Sequence, residues 1–230
     1  MVFTLENVVP WGRSYTEYVS MFALSENDLH SRILGCSDGP ASFNSVLTRD
    51  GGRVVSVDPV YGFSPDEIKC RIDLTFSEII EQTKKNRDEF VWTTIRSIEE
   101  LGRIRMDAME RFLLDFPAGH EEGRYIDASL PSLPFMDREF RIALCSHFLF
   151  LYSQHLTLEF HLQSLRELCR VAEEVRIFPL LELGAVTSRH LEPLKQQLTR
   201  EGFMISVENV PYEFQKGGNR MMKITRPRLD

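Results

Sequence analysis

Residues 31–59 read SRILGCSDGPASFNSVLTRDGGRVVSVDP, and this stretch decides the fold. It begins with a predicted strand, Ser31 to Cys36, which leads into the glycine-containing loop Ser37 to Pro40. A helix-compatible segment, Ala41 to Asp50, follows and stops at two glycines. The β-branched run Arg53 to Val57 predicts a second strand. Strand, helix and strand in this order form a βαβ unit, which predicts an α/β protein with a parallel sheet.

The rest of the chain continues this alternation. Further strands are predicted at Arg124 to Ile126, Phe140 to Ser146, Glu174 to Leu181, Phe203 to Val210 and Met221 to Thr225. Helices are predicted after the capping boxes Ser64 to Glu67 and Ser97 to Glu100, and over about Thr157 to Val171 and Ser188 to Glu201. Pro117 and Gly119 are expected to end the second of these helices, and Gly217-Gly218-Asn219 to form a hairpin turn between the last two strands.

One connection is too long for a simple crossover. Between Asp58 and Tyr125 lie 66 residues, whereas a βα unit needs only short loops around its helix. We therefore predict a single domain over residues 1–230 that contains a helical insertion or cap over residues 77–123. Its amphipathic helices are expected to roof a ligand pocket; the alternative is a helical pair that only extends the core or builds a dimer interface.

Composition narrows the class of protein. The net charge of -7 argues against nucleic acid as a partner, because phosphate contacts need clustered Lys and Arg. No segment approaches the length of a membrane span, and residues 1–11 lack the basic start and apolar core of a signal peptide. The four cysteines do not have metal-ligand spacing, so no metal site and no disulfide are expected. These features predict a reduced, cytoplasmic protein.

Two elements of the βαβ unit suggest a nucleoside ligand. Gly35 and Gly39 bracket the first turn, where glycine lets a ligand approach the backbone, and Asp58 ends the second strand, where an acid can accept ribose hydroxyls. The bland alternative is a tight turn with Asp58 capping the bend before Pro59. The loop lacks the G-x-G-x-x-G pattern, and Asp38 would repel a diphosphate. An acidic loop suits a ligand with an amino group and a sulfonium, which favours S-adenosylmethionine over a nicotinamide dinucleotide.

On these residues the sequence resembles the class I S-adenosylmethionine-dependent methyltransferases from about Leu34 to Thr225. The loop Leu34 to Gly39 is similar to their first motif, and Asp58 matches their ribose-binding acid. Asp127-Ala128 with the following Leu133-Pro134-Phe135 is similar to the segment that lines the adenine, although here the two parts are four residues apart instead of two. Phe140 to Ser146 with His147 resembles the fourth motif, with Arg141 where the family often has an acid.

The resemblance implies a Rossmann-like, seven-stranded mixed sheet of order 3-2-1-4-5-7-6 with helices on both faces. It implies S-adenosylmethionine as the methyl donor and S-adenosylhomocysteine as the product. The implied cofactor-binding residues are Arg13, Gly35, Cys36, Ser37, Asp38, Gly39, Asp58, Pro59, Asp127, Ala128, Ser146 and His147. Arg13 belongs to an aromatic segment that would fold over the cofactor and meet its carboxylate, or else is only part of a docked amphipathic helix.

The candidate catalytic residues are His147 and Tyr152, because they follow the fourth strand, which ends beside the methyl group in this family. A general base assists only when the acceptor is a protonated amine or hydroxyl; otherwise His147 shapes the pocket and Tyr152 is a packing residue. The function predicted is methyl transfer to a small-molecule acceptor of unidentified structure. The alternatives are a nicotinamide-dependent oxidoreductase and a non-catalytic S-adenosylmethionine-binding protein. The sequence does not predict the oligomeric state.

Overall fold

The computed structural model describes residues 9–226, so the expectation that the first residues form no signal peptide lies largely outside the described part of the chain. The strands are β1 Arg32–Cys36, β2 Arg53–Val57, β3 Tyr125–Ile126, β4 Phe140–Ser146, β5 Ala172–Phe178, β6 Leu181–Glu182, β7 Val186–Thr187, β8 Met204–Asn209 and β9 Arg220–Thr225. The α-helices are α1 Tyr15–Met21, α2 Glu26–Leu29, α3 Phe43–Arg49, α4 Pro65–Lys85, α5 Ile98–Glu121, α6 Leu158–Val171 and α7 Leu191–Arg200. Short 3-10 helices cover Pro59–Gly62 and Arg87–Glu89.

Seven strands form one mixed sheet in the order β3-β2-β1-β4-β5-β9-β8. The first five are parallel to one another, while β9 is antiparallel to both β5 and β8. Strands β6 and β7 form a separate two-stranded hairpin. Within the large sheet the order is therefore 3-2-1-4-5-7-6, which confirms the prediction.

Helices cover both faces of the sheet because both faces are apolar. Successive side chains of β1 point to opposite faces, and those after Arg32 are buried. Leu34 packs in a core with residues of α6 and α7, such as Leu165 and Leu194. Ile33 packs in a second core with residues of α1 and α3, such as Tyr18 and Phe43. The predicted helices on both faces are thus confirmed, and the carboxyl ends of the parallel strands remain as the edge at which a ligand can bind.

The long β2–β3 crossover contains two α-helices, α4 and α5, which pack against each other. Helix α5 continues through Pro117 to Glu121, so the expected end at Pro117 and Gly119 is wrong. A proline inside a helix costs about 3 kcal/mol. Here Phe112 and Phe116, which lie one turn apart just before Pro117, are buried against Tyr61 and Tyr125. That packing holds the helix together across the missing N–H.

The last two strands are not joined by a tight hairpin. Residues 210–219 connect β8 to β9, and the glycine turn, in which the Gly218 N–H donates to the Gln215 carbonyl at 2.8 Å, is only one end of this connection. The other part reaches the link between α4 and α5: the Val91 N–H donates to the Phe214 carbonyl at 2.7 Å, and the rings of Phe90 and Phe214 stack with their centroids 5.0 Å apart. The hairpin prediction is corrected accordingly.

Two further boundaries differ from the sequence expectation. Strand β5 ends at Phe178 instead of Leu181, because Pro179 has no N–H for the ladder. Helix α7 begins at Leu191, after His190 as its N-cap, instead of at Ser188. Among residues 9–226, no helix is both long and apolar enough to cross a membrane.

Candidate functional site

A cavity of about 380 Å³ lies at the carboxyl ends of β1, β2 and β4. Most of the residues that the sequence singled out meet there: Arg13, Ser37, Asp38, Gly39, Asp58, Pro59, Ser146, His147 and Tyr152 line it. Gly35 and Cys36 are buried in β1 beneath the loop. From the segment after β3, Ser129 and Leu130 line the cavity. Asp127 and Ala128, which precede them in the sequence, are not among the lining residues.

Asp38 is held by two side chains below the loop. Its Oδ1 accepts a hydrogen bond from the Tyr18 hydroxyl at 2.8 Å and its Oδ2 accepts one from the Ser56 hydroxyl at 2.7 Å. Burial raises the pKa of Asp38 to about 7, against the effect of both hydrogen bonds. A Cβ on Gly35 would lie 1.8 Å from Asp38 Oδ2. Glycine at position 35 thus makes room for the Asp38 carboxylate, and a contact of its backbone with a ligand stays a prediction.

Gly39 is the glycine that leaves space beside the cavity. It has φ +52°, a left-handed conformation that side chains rarely adopt, and a Cβ there would meet only Asp58 Oδ2 at 4.0 Å. The Gly39 N–H donates to Asp58 Oδ2 at 2.9 Å, and the Val60 N–H donates to Oδ1 at 2.9 Å. Asp58 thereby joins the loop to the 3-10 helix after β2. Burial and the nearby charge of Asp127 raise the pKa of Asp58.

A second group of polar side chains borders the same cavity through Arg13, Arg105 and Tyr212. Glu17 of α1 accepts a hydrogen bond from Arg105 Nη1 through Oε2 and one from the Tyr212 hydroxyl, at 2.8 Å, through Oε1. Burial opposes ionisation of Glu17, but Arg105, Arg13 and the Ser14 N–H outweigh it and lower its pKa to about 2. Arg13 donates from Nη1 to the Trp11 carbonyl at 2.6 Å. We name Arg13, Glu17, Arg105 and Tyr212 the arginine cluster.

His147 and Tyr152 face the cavity with different protonation. His147 has φ +51°, and its Nδ1 lies 2.8 Å from the Ser146 hydroxyl. Burial, Arg13 and Arg105 lower the pKa of His147 well below its usual value, so the imidazole is neutral near pH 7. Burial raises the pKa of Tyr152, so its hydroxyl keeps the proton. Of the two, only His147 is in a form that accepts a proton at neutral pH.

Sequence reasoning missed Arg105, which lines the cavity. Arg105 carried a usable signal: it falls on the buried stripe of α5, between Leu101 and Ala108, and is 0% exposed. A charged residue on an apolar stripe is rare unless it has a partner. Tyr18 belongs to the aromatic segment before β1, and Tyr212 to the segment Pro211 to Phe214, which the sequence places either at the border of the acceptor pocket or at a structural hairpin end. Both tyrosines line the cavity.

The same cavity has an apolar wall. It consists of Ile79, Phe90, Leu101, Phe148, Leu151, Leu183 and Phe214, in addition to Trp11. Three of these side chains come from α4, α5 and the link between them, which places the long crossover directly over the cavity. Among residues 9–226, no group of three His, Cys, Asp or Glu side chains could hold a metal ion.

The chain is 35% identical over 225 residues to the protein called Uncharacterized protein MJ0045 of Methanocaldococcus jannaschii, a match that covers 96% of this chain and 98% of that protein. No protein-family model matches the chain. The crystal structure of mitomycin 7-O-methyltransferase is similar with a TM-score of 0.50 at 10% identity, over 93% of this chain and 54% of that one. Magnesium protoporphyrin IX methyltransferase from Synechocystis PCC 6803, solved with bound S-adenosylmethionine, has a TM-score of 0.47 at 13% identity, over 93% and 78%. The fold, with its strand order, is that of the class I methyltransferases.

Proposed function

We propose that this chain, which belongs to the same family as Uncharacterized protein MJ0045 of Methanocaldococcus jannaschii, is an S-adenosylmethionine-dependent methyltransferase of a small-molecule acceptor. The observation that carries the proposal is the meeting of Asp38, Gly39, Asp58 and His147 around one cavity at the carboxyl ends of β1, β2 and β4. In open α/β sheets this edge is where ligands bind.

The residues present fit S-adenosylmethionine. Asp58 offers carboxylate lone pairs for ribose hydroxyls beside Gly39, the glycine whose Cβ position is open. Arg13 has a buried Nε without a hydrogen-bond partner among the described residues, which suits the cofactor carboxylate. Asp38, at a pKa of about 7, becomes a full anion when a cationic ammonium or sulfonium group is placed next to it.

When bound, S-adenosylmethionine supplies a methyl group already activated on a sulfonium. The chain's contribution is then to align the acceptor and to exclude water, and alignment alone can supply much of the rate. Neutral His147 takes a proton from an acceptor amine or hydroxyl, and protonated Tyr152 donates a hydrogen bond.

The acceptor is proposed to be small because α4 and α5 cover the cavity. The proposed insertion, residues 77–123, begins inside α4, which runs without a break from Pro65 to Lys85. The second half of α5 belongs to the core through Phe112 and Phe116, so the covering part is α4 with the first half of α5. A macromolecular acceptor would need an open face instead.

Asp58→Ala is expected to weaken the binding of S-adenosylhomocysteine by about 1–3 kcal/mol, the cost of leaving bound hydroxyls without a charged partner. Isothermal titration calorimetry measures the affinity. Asp73→Ala removes an exposed carboxylate on α4 that pairs with Lys69 and serves as the matched control. Equal affinity in both variants and the wild type would remove Asp58 from the site, and tight binding of NADH by the wild type would favour a dehydrogenase.

His147→Ala is expected to lower the methyl-transfer rate by roughly 10²–10⁴-fold if the acceptor must lose a proton, with little change in cofactor affinity. Because the pKa of His147 lies well below 6.5, the wild type should keep its rate down to mildly acidic pH and lose it only below that range. Transfer of a radiolabelled methyl group to a metabolite extract, followed over pH, provides the measurement. A rate that already falls through pH 6.5, or that survives in the variant, contradicts the role of base; no transfer at all indicates a binding protein without catalysis.

A further inference from the structure

Arg105 has hydrogen-bonding capacity that the protein itself does not use. Its side chain is 0% exposed and lines the cavity. Nη1 donates to Glu17. Against the effect of burial, Glu17 and the nearby Tyr212 hydroxyl raise the pKa of Arg105, but Nε and Nη2 make no hydrogen bond of normal geometry with residues 9–226. Unsatisfied N–H groups on a buried cation are costly, so their position against the cavity points to a ligand that accepts from them.

The two unused groups form one complete edge of the guanidinium. The Nε and Nη2 protons of an arginine point the same way and match the two oxygens of a carboxylate in a fork-to-fork pair. The cofactor carboxylate proposed for Arg13 offsets the charge of that residue, so Arg105 and Glu17 remain as a neutral pair. The Nε–Nη2 edge itself is therefore what indicates a second carboxylate.

Arg13 and Arg105 are held by different parts of the chain, and only Arg13 is attached to the segment around the glycine loop Ser37 to Pro40. The backbone around Arg13 is held against this segment, since the Ser42 N–H donates to the Arg13 carbonyl at 3.1 Å. The two backbones are also in close contact at Gly12, where an added Cβ would lie 2.1 Å from the Pro40 carbonyl oxygen. Arg105 instead comes from the covering helix α5, one turn after Leu101 of the apolar wall. It shares Glu17 with Tyr212 of the β8–β9 connection.

We propose that the acceptor is a small, largely apolar carboxylic acid whose carboxylate is held by the Nε–Nη2 edge of Arg105 while its body lies against Leu101, Ile79 and Phe214. This proposal rests on the proposed function and adds the chemical class of the acceptor. The bound carboxylate is an anchor and not the methylated group, because the paired arginine holds both oxygens at the guanidinium and lowers their nucleophilicity. The methyl group goes to another nucleophilic atom of the same molecule.

The test uses phenylacetate and 4-phenylbutyrate, each compared with its own primary amide, by calorimetry on the whole protein with and without saturating S-adenosylhomocysteine. The wild type is expected to bind each acid about tenfold or more tightly than its amide. The double variant Arg105→Met with Glu17→Gln removes both charges together and leaves no unpaired carboxylate. It should lose the preference for the acid while its affinity for S-adenosylhomocysteine changes less than about threefold.

Three outcomes overturn the proposal: equal binding of acid and amide by the wild type, an acid preference that survives in the double variant, or a selective loss of S-adenosylhomocysteine. The last is recognised when affinity for S-adenosylhomocysteine falls tenfold but that for methylthioadenosine, which lacks the carboxylate, does not; Arg105 would then hold the cofactor. Arg105→Lys keeps the positive charge but cannot form the two parallel hydrogen bonds to a carboxylate. This variant is used instead of the double variant if the double variant does not fold. Failure of the wild type to bind S-adenosylhomocysteine refutes the proposed function instead, and the comparison of acid with amide still tests Arg105.

Discussion

Glu17→Ala is expected to lower the free energy of unfolding by about 3–5 kcal/mol, the range found when one partner of a buried ion pair is removed. The substitution leaves Arg105 buried without its counter-charge and Arg13 close by. It also removes the acceptor of the Tyr212 hydroxyl and the carboxylate of the capping box that begins α1. Urea unfolding followed by circular dichroism measures the change.

The matched control for this prediction is Glu173→Ala, which removes an ion pair with Arg141 at 2.7 Å in which both side chains are about half exposed. Exposed pairs contribute about 0–1 kcal/mol, so the two variants should differ by at least about 2 kcal/mol. The wild type should also lose stability in acid, because the depressed pKa of Glu17 stabilises the folded state above pH 4.5 and this contribution disappears between pH 4.5 and about 2. A Glu17→Ala protein as stable as the control would show that the arginine cluster does not support the fold.

Gly35→Ala is expected to cost about 3 kcal/mol of stability and to weaken S-adenosylhomocysteine binding roughly tenfold or more. The new Cβ would lie 1.8 Å from Asp38 Oδ2, so the carboxylate must leave Tyr18 and Ser56, and hydrogen bonds to a charged group contribute about 1.5–3 kcal/mol. Thermal unfolding and calorimetry provide the two measurements.

The cause is tested by repeating Gly35→Ala in an Asp38→Ala protein, where the added methyl group has room and should cost little. Gly202→Ala is a second comparison, since Gly202 has φ +88° and nothing within 4 Å of its Cβ position. It should lose some stability through backbone strain but keep its affinity. If Gly35→Ala costs as much without the Asp38 carboxylate as with it, the close approach is not the reason for glycine.

The sequence was sufficient for the parts of the site that local geometry determines. A strand, a glycine turn and a helix bring Gly39 to the same edge as Asp58 whatever the rest of the chain does, and the strand order was implied by the resemblance to class I methyltransferases. Arg105 could not be found from local geometry, because it reaches the cavity only through the packing of α5. Tyr212 was expected near the acceptor pocket only as part of the segment Pro211 to Phe214, and its contact with Glu17 depends on the distant β8–β9 connection. The close approach of Asp38 to Gly35 was not predicted either, because the position of that carboxylate depends on Tyr18.

The hydrogen bond between the β8–β9 connection and the α4–α5 link affects the order in which parts of the structure form during synthesis. Val91 and Phe214 are joined by a backbone hydrogen bond, so the earlier segment waits for one that lies more than one hundred residues further along the chain. Domains generally fold as units during synthesis, and contacts between distant segments form late. The residues of β1, β2 and the glycine loop are therefore synthesised well before Tyr212 can reach Glu17, and the covering side of the cavity is completed only after the β8–β9 connection has been made.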